Sequence, residues 1–85
     1  MKWELKFADS IVKKVKKFPK KDIKKITQSI ENLGVNPYAG NVKKMSGETN
    51  VWRKRSGNYR IFYELFRKDK ILFVYDIKRR LSKTY

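Results

Sequence analysis

The chain has 85 residues, 40% of them apolar, which is enough for one small core but not for two, so a single domain spanning residues 1–85 is expected. Cysteine and histidine are both absent, which excludes disulfide frameworks, thiolate zinc sites, thiol nucleophiles and imidazole proton transfer; neither metal nor cofactor is expected. Twenty-three Lys plus Arg against eight Asp plus Glu leave a net charge of +15, a surplus that attracts polyanions such as RNA, DNA, anionic lipid or an acidic protein.

Residues Lys2–Phe7 alternate, with Trp3, Leu5 and Phe7 on one face, which is the period of a half-buried strand. Asp9 or Ser10 is placed to cap a helix whose Ile11, Val12, Val15 and Phe18 recur at helical spacing until Pro19 stops it. A second helix is expected from Lys20 to Leu33, with Ile23, Ile26, Ile30 and Leu33 as its apolar stripe and Gly34 as a left-handed terminator. Val35–Asn41 carries turn chemistry in Asn36-Pro37 and Ala39-Gly40. Lys43–Met45 reads as a short strand, Ser46-Gly47 as a turn, and Val51–Arg55 as the next strand. Ser56-Gly57-Asn58 is a hairpin loop, Tyr59–Phe66 a strand rich in aromatic and branched residues, Arg67–Lys70 a charged turn, and Ile71–Ile77 the most apolar strand. The order is that of an α+β fold: an N-terminal strand, a two-helix hairpin, then a three- to four-stranded antiparallel meander with the helices on one sheet face.

The longest wholly apolar run, Ile71–Tyr75, falls far short of the ~20 residues of a membrane span, and the start at Met1-Lys2-Trp3-Glu4 does not open a signal peptide. No membrane role and a cytoplasmic location are therefore expected.

Basic residues divide unevenly. All ten before Val35 are lysines, whereas all six arginines, Arg53, Arg55, Arg60, Arg67, Arg79 and Arg80, lie in the second half. Arginine offers a rigid planar fork for phosphate and lysine a mobile point charge, so the second half is where a phosphate site is sought. Period two puts Val51, Arg53 and Arg55 on one side of their strand and Trp52 and Lys54 on the other. On the next strand Tyr59, Ile61, Tyr63 and Leu65 face the helices, leaving Arg60, Phe62 and Glu64 outward. If the hairpin aligns Arg53 and Arg55 with Arg60, the open face carries a cation cluster with Phe62 in its middle. The plain alternative is that these arginines are solvated or paired with Glu64 and Glu48. Lys78-Arg79-Arg80 and the terminal Tyr85 follow the apolar strand and extend the basic surface.

The segment WRKRSGNYRIFY at residues 52–63, the charged turn and apolar strand after it, and Lys78-Arg79-Arg80 with a tyrosine beyond resemble the RelE/ParE superfamily of toxin–antitoxin toxins. Leu33-Gly34-Val35-Asn36-Pro37 and the order of elements extend the resemblance over nearly the whole chain. Its RelE branch implies a ribosome-dependent, metal-independent endoribonuclease that cleaves messenger RNA in the ribosomal A site. By that resemblance Arg60 and Arg79 hold the scissile phosphate, Tyr85 activates the attacking 2′-hydroxyl, and Arg53 takes one of two family lysine positions, the other being Val51 here. Lys54, Arg55, Lys78, Arg80 and Phe62 are candidate RNA contacts, with the proton donor left open between Arg53 and Lys54. The resemblance also implies an acidic RelB-like antitoxin, through which alone operator DNA is bound. Two other readings share the scaffold or the charge: a ParE-like gyrase inhibitor without nuclease activity, and a non-catalytic nucleic-acid-binding module.

Overall fold

The computed structural model describes residues 2–40, 42–45, 47 and 50–79. In chain order the elements are β1 (Glu4–Phe7), α1 (Asp9–Val15), α2 (Lys20–Val35), β2 (Val42–Lys44), β3 (Val51–Ser56), β4 (Tyr59–Phe66) and β5 (Ile71–Arg79). The strands form one sheet in the order β1-β5-β4-β3-β2. The expected α+β architecture is present, with β2 to β5 as the antiparallel meander. Strand β1 adds to it by pairing parallel with β5, Leu5 opposite Leu72 and Phe7 opposite Val74. The two helices carry the chain from β1 at one edge of the sheet to β2 at the other, and the meander returns it to β5 beside β1.

The helices seal one sheet face. Ile11 of α1 and Ile26, Ile30 and Leu33 of α2 pack with Tyr59, Ile61, Tyr63 and Leu65 of β4 and Leu72, Val74 and Ile77 of β5. Full burial of aliphatic side chains of this kind contributes roughly 1.5–3 kcal/mol apiece. The alternation predicted for β4 therefore holds, and Trp52 of β3 packs against the same core. Val12, expected on the apolar face of α1, is instead 48% exposed, because the short α1 turns only Ile11 fully inward.

Three predicted helix ends differ. Ala8, extended at φ −66° and ψ 145°, precedes α1 with no side-chain cap, so neither Asp9 nor Ser10 takes that role. The Ala8 N–H is instead tied to the Val74 carbonyl at 3.0 Å, so sheet pairing sets where the helix begins. Gly34 is a helical residue rather than a left-handed terminator, and α2 continues through Val35 to an extended Asn36. Gly34 serves close approach: a Cβ there would stand 3.4 Å from a Leu5 methyl, and its carbonyl accepts the Trp3 N–H at 2.7 Å. Helix α1 stops at Val15, short of the expected Phe18, and β5 runs on past Ile77 to Arg79. Gly57 opens the β3–β4 turn with φ +59°, a conformation that favours glycine.

The β4–β5 pairing contains one irregularity. Phe62 opposes Asp76 but Tyr63 opposes Val74, so β5 carries one extra residue, Tyr75, at a bulge. Its cause is legible in β5: Leu72, Val74 and Ile77 are all fully buried, and the three-residue step from Val74 to Ile77 cannot reach one face without an added residue. Asp76 is thereby kept out of the core, where its carboxylate accepts the Ile77 N–H at 2.8 Å and meets Lys14 Nζ at 3.2 Å.

Fully buried Tyr63 donates its hydroxyl to the Pro37 carbonyl at 2.6 Å, fastening the α2–β2 connector to the sheet. Burial, with the nearby Tyr38 adding to it, holds this phenol well above its ordinary pKa. In the unfolded chain it ionises near pH ~10. The raised folded value stabilises the fold below that pH, and the stabilisation is lost as pH rises beyond it. Tyr63→Phe should cost about 1–2 kcal/mol at neutral pH by leaving the carbonyl unpaired, and should flatten the fall in stability above pH ~10. Denaturant unfolding of both proteins across that pH range measures each effect.

Candidate functional site

The open face of the sheet is set by the pairing of β3 with β4. Arg53 opposes Phe62 and Arg55 opposes Arg60, so the three arginines project to the side away from the helices. Cross-strand partners share a face at a Cα spacing of roughly 4.5–5.5 Å, which leaves the guanidinium groups free to converge. They line a depression of about 480 Å³ together with Val42 and Lys43. Among the described residues no salt bridge reaches Arg53, Arg55 or Arg60. Glu64 shares their face but stands opposite Val51 and Phe73, beyond the arginine rows, while Glu48 lies outside the described residues.

Phe62, only 8% exposed, forms the floor of this face. Its ring lies 6.2 Å from that of Tyr75, and Lys78 Nζ sits 5.4 Å above its centroid. Phe62 is thus covered by its neighbours rather than offered for stacking. Sequence pattern alone does not single out Lys43; it reaches the site because β2 pairs with β3 and sets Lys43 opposite Arg53. The signal available is the short strand across a turn from Val51–Arg55, once its register is known.

Other candidates fall elsewhere. Lys54 opposes Ile61, a core residue, so it lies on the helix side of the sheet, near Gly40, and does not join the arginines. Arg79 opposes Tyr59 and holds its guanidinium 5.8 Å from that ring, again on the helix side. The resemblance implied one phosphate held by Arg60 and Arg79 together; the bulge in β5 sets the two side chains on opposite faces. Arg80 and Tyr85 lie outside the described residues.

Around Tyr59 a second polar group ties the hairpin tip to α2. The Tyr59 hydroxyl donates to Asp22 Oδ2 at 2.7 Å, Phe18 packs on its ring at 4.9 Å, and Ser29 and Ser56 share a 2.7 Å hydrogen bond. Burial and the Asp22 bond push the Tyr59 phenol above its ordinary pKa, and the Arg79 charge opposes them. These contacts tie α2 and Phe18 to the end of the sheet from which Arg55 and Arg60 project.

Chemically, guanidinium groups that line one depression suit an oxyanion whose charge is shared over several oxygens, as in a phosphodiester. The residues also match a known family over nearly their whole length. The family model for the ParE toxin of the type II toxin–antitoxin system parDE covers residues 2–83. The chain belongs to the RelE/ParE superfamily of toxins.

Among its relatives is the Methanocaldococcus jannaschii protein named "Putative toxin RelE1", 30% identical over 83 residues, spanning 94% of this chain and 92% of that protein. The toxin fold of the archaeal RelE-RelB complex from Pyrococcus horikoshii superposes with a TM-score of 0.82 at 26% identity, covering 94% of this chain and 97% of that one. The isolated E. coli RelE toxin has the same fold, with a TM-score of 0.83 at 14% identity over 95% of this chain and 87% of that one. The protein is thus a RelE-like toxin of a type II toxin–antitoxin system.

Like charges directly opposite one another weaken a sheet, and here Arg60 stands between Arg55 and Lys78. Arg60→Gln should therefore raise stability by about 0.2–1 kcal/mol in low salt. The gain should shrink toward zero at ~1 M salt, where the screening length falls to about 3 Å, and thermal unfolding at the two salt concentrations measures it.

Proposed function

We propose that this RelE-like toxin is a ribosome-dependent endoribonuclease that cleaves messenger RNA in the A site. The observation that carries the reading is the shared depression of Arg53, Arg55 and Arg60, with no described carboxylate paired to them. The reaction is an internal phosphoryl transfer. The 2′-oxygen of one nucleotide bonds to the adjacent phosphorus as the bond to the 5′-oxygen breaks, leaving a 2′,3′-cyclic phosphate and a free 5′-hydroxyl. One proton leaves the 2′-hydroxyl and one joins the 5′-oxygen.

Arg60 and Arg53 would stabilise charge on the nonbridging oxygens, the largest contribution in transfers of this type. Both are held by paired strands rather than loops, so their donors are already aimed before RNA arrives. By resemblance Tyr85 takes the 2′-proton, a role that requires surrounding cations to lower a phenol pKa from its usual ~10. Lys54 is a poor proton donor for this site because it lies on the other face; Lys43, opposite Arg53, is the better placed ammonium.

The partner reading follows the charge. At +15 the chain attracts an acidic segment, in keeping with the RelE–RelB complexes among its structural neighbours. The helices offer such a segment an apolar groove of about 520 Å³ lined in part by Leu5, Phe7, Ile11, Val12 and Val15. Operator DNA would be bound through the antitoxin.

Primer extension on messenger RNA after induction tests the activity. Parent protein should produce cleavage within translated codons, and Arg60→Ala should reduce it by roughly 100-fold or more, the usual cost of one transition-state donor. Absence of cleavage by the parent rejects the nuclease reading, and cleavage that survives Arg60→Ala and Arg53→Ala rejects the open face as its site. The ParE description of the family model keeps a gyrase-directed toxin as the second reading; it predicts DNA breaks and toxicity without messenger cleavage. Val12→Asp, on an exposed apolar position of the groove, should weaken antitoxin capture at least roughly tenfold while leaving cleavage intact, as read by titration of the purified pair.

A further inference from the structure

The bulge in β5 decides which cation joins the site. Counting by two from the buried Leu72 and Val74 would send Asp76 and Lys78 to the helix side and Arg79 to the open face. The added residue at Tyr75 reverses that assignment. Lys78 opposes Arg60 on the open face, and Arg79 opposes Tyr59 on the other.

Side-chain contacts agree with the register independently. Lys78 Nζ lies 5.4 Å from the ring centroid of Phe62, the floor of the open face. Arg79 lies 5.8 Å from the ring of Tyr59, which is buried against Phe18 and bonded to Asp22 of α2. Each cation thus rests on an aromatic ring, a weakly attractive placement, and the two rings belong to opposite sides of β4. The open face consequently holds Arg55, Arg60 and Lys78 abreast on three adjacent strands, with Lys43 and Arg53 forming a second row.

We propose that Lys78, and not Arg79, is the phosphate-contacting cation that β5 contributes to the open face, and that the exposed Arg79 lies beside Tyr59 on the helix side. The proposal rests on the reading of the open face as the RNA site. An ammonium is a compact charge on a flexible stem, so Lys78 follows a phosphate as it moves where the arginine forks fix direction. Repulsion along the Arg55, Arg60 and Lys78 row is relieved when an anion binds, so all three should register in the salt dependence of binding.

The test is equilibrium binding of a single-stranded RNA oligonucleotide, 2′-O-methylated so that it cannot be cleaved, by the full chain across a range of salt. Parent, Arg60→Gln, Lys78→Gln, Arg79→Gln and Lys68→Gln are compared, each first shown by thermal unfolding to be folded. Lys68, in the exposed β4–β5 turn, controls for the removal of one charge far from the site. Removing a side chain that neutralises one phosphate should make the slope of log affinity against log salt shallower by about 0.7. Arg60→Gln and Lys78→Gln should show that change, and Arg79→Gln and Lys68→Gln should keep the parental slope. A shallower slope with Arg79→Gln overturns the assignment, as does a change with Lys68→Gln equal to that with Lys78→Gln. If Arg60→Gln makes the slope shallower and Lys78→Gln does not, only the assignment of Lys78 falls. If neither changes the slope, the open face is not the RNA site and the proposal falls with that reading.

Discussion

Like-charged side chains held abreast are the constraint around which this small protein is arranged. Arg55, Arg60 and Lys78 occupy neighbouring cross-strand positions, where repulsion opposes pairing. The sheet tolerates them because its other face is a closed apolar layer. Ile61, Tyr63 and Leu65 of β4, with Leu72, Val74 and Ile77 of β5, are fully buried under the helices. Burial of that area far outweighs a repulsion of a few tenths of a kcal/mol per pair. One face thereby carries the stability and the other is left to carry charge.

The same division explains how the site is kept in shape. Strand pairing fixes the rows of cations, and a set of side-chain bonds fixes the sheet to α2 and the connector after it: Tyr59 to Asp22, Ser29 to Ser56, and Tyr63 to the Pro37 carbonyl. All of these lie on the helix side, so they hold the arginine-bearing end without placing an acceptor among the arginines. For the proposed action on a phosphodiester, donors positioned in advance are worth more than mobile ones, because no reorganisation is needed as charge develops.

Family membership and site geometry support different statements. Similarity over residues 2–83 and the shared fold make this a RelE-like toxin of a type II toxin–antitoxin system. The proposed action on RNA rests on the open face, because one scaffold can host unrelated activities. The departure at Val51 and the placement of Arg79 show why a family's residues must be located one at a time. A single added residue in β5 changes which of two adjacent cations reaches the open face.

Much of this was legible in the chain itself. The alternation of Tyr59, Ile61, Tyr63 and Leu65 against Arg60, Phe62 and Glu64 follows from the period of an extended backbone, and it assigned both faces of β4 correctly. The placement of Arg53 and Arg55 beside Arg60 followed from the same period and a short hairpin. Local rules of this kind depend only on residues close in sequence. The parallel seat of β1 beside β5, the helical Gly34 pressed against Leu5, the inclusion of Lys43 and the exchange of Lys78 for Arg79 depended on what each segment packs against. Register and bulges are chosen by which side chains the whole core can bury, a sum over distant residues, and so only the tertiary structure could decide them.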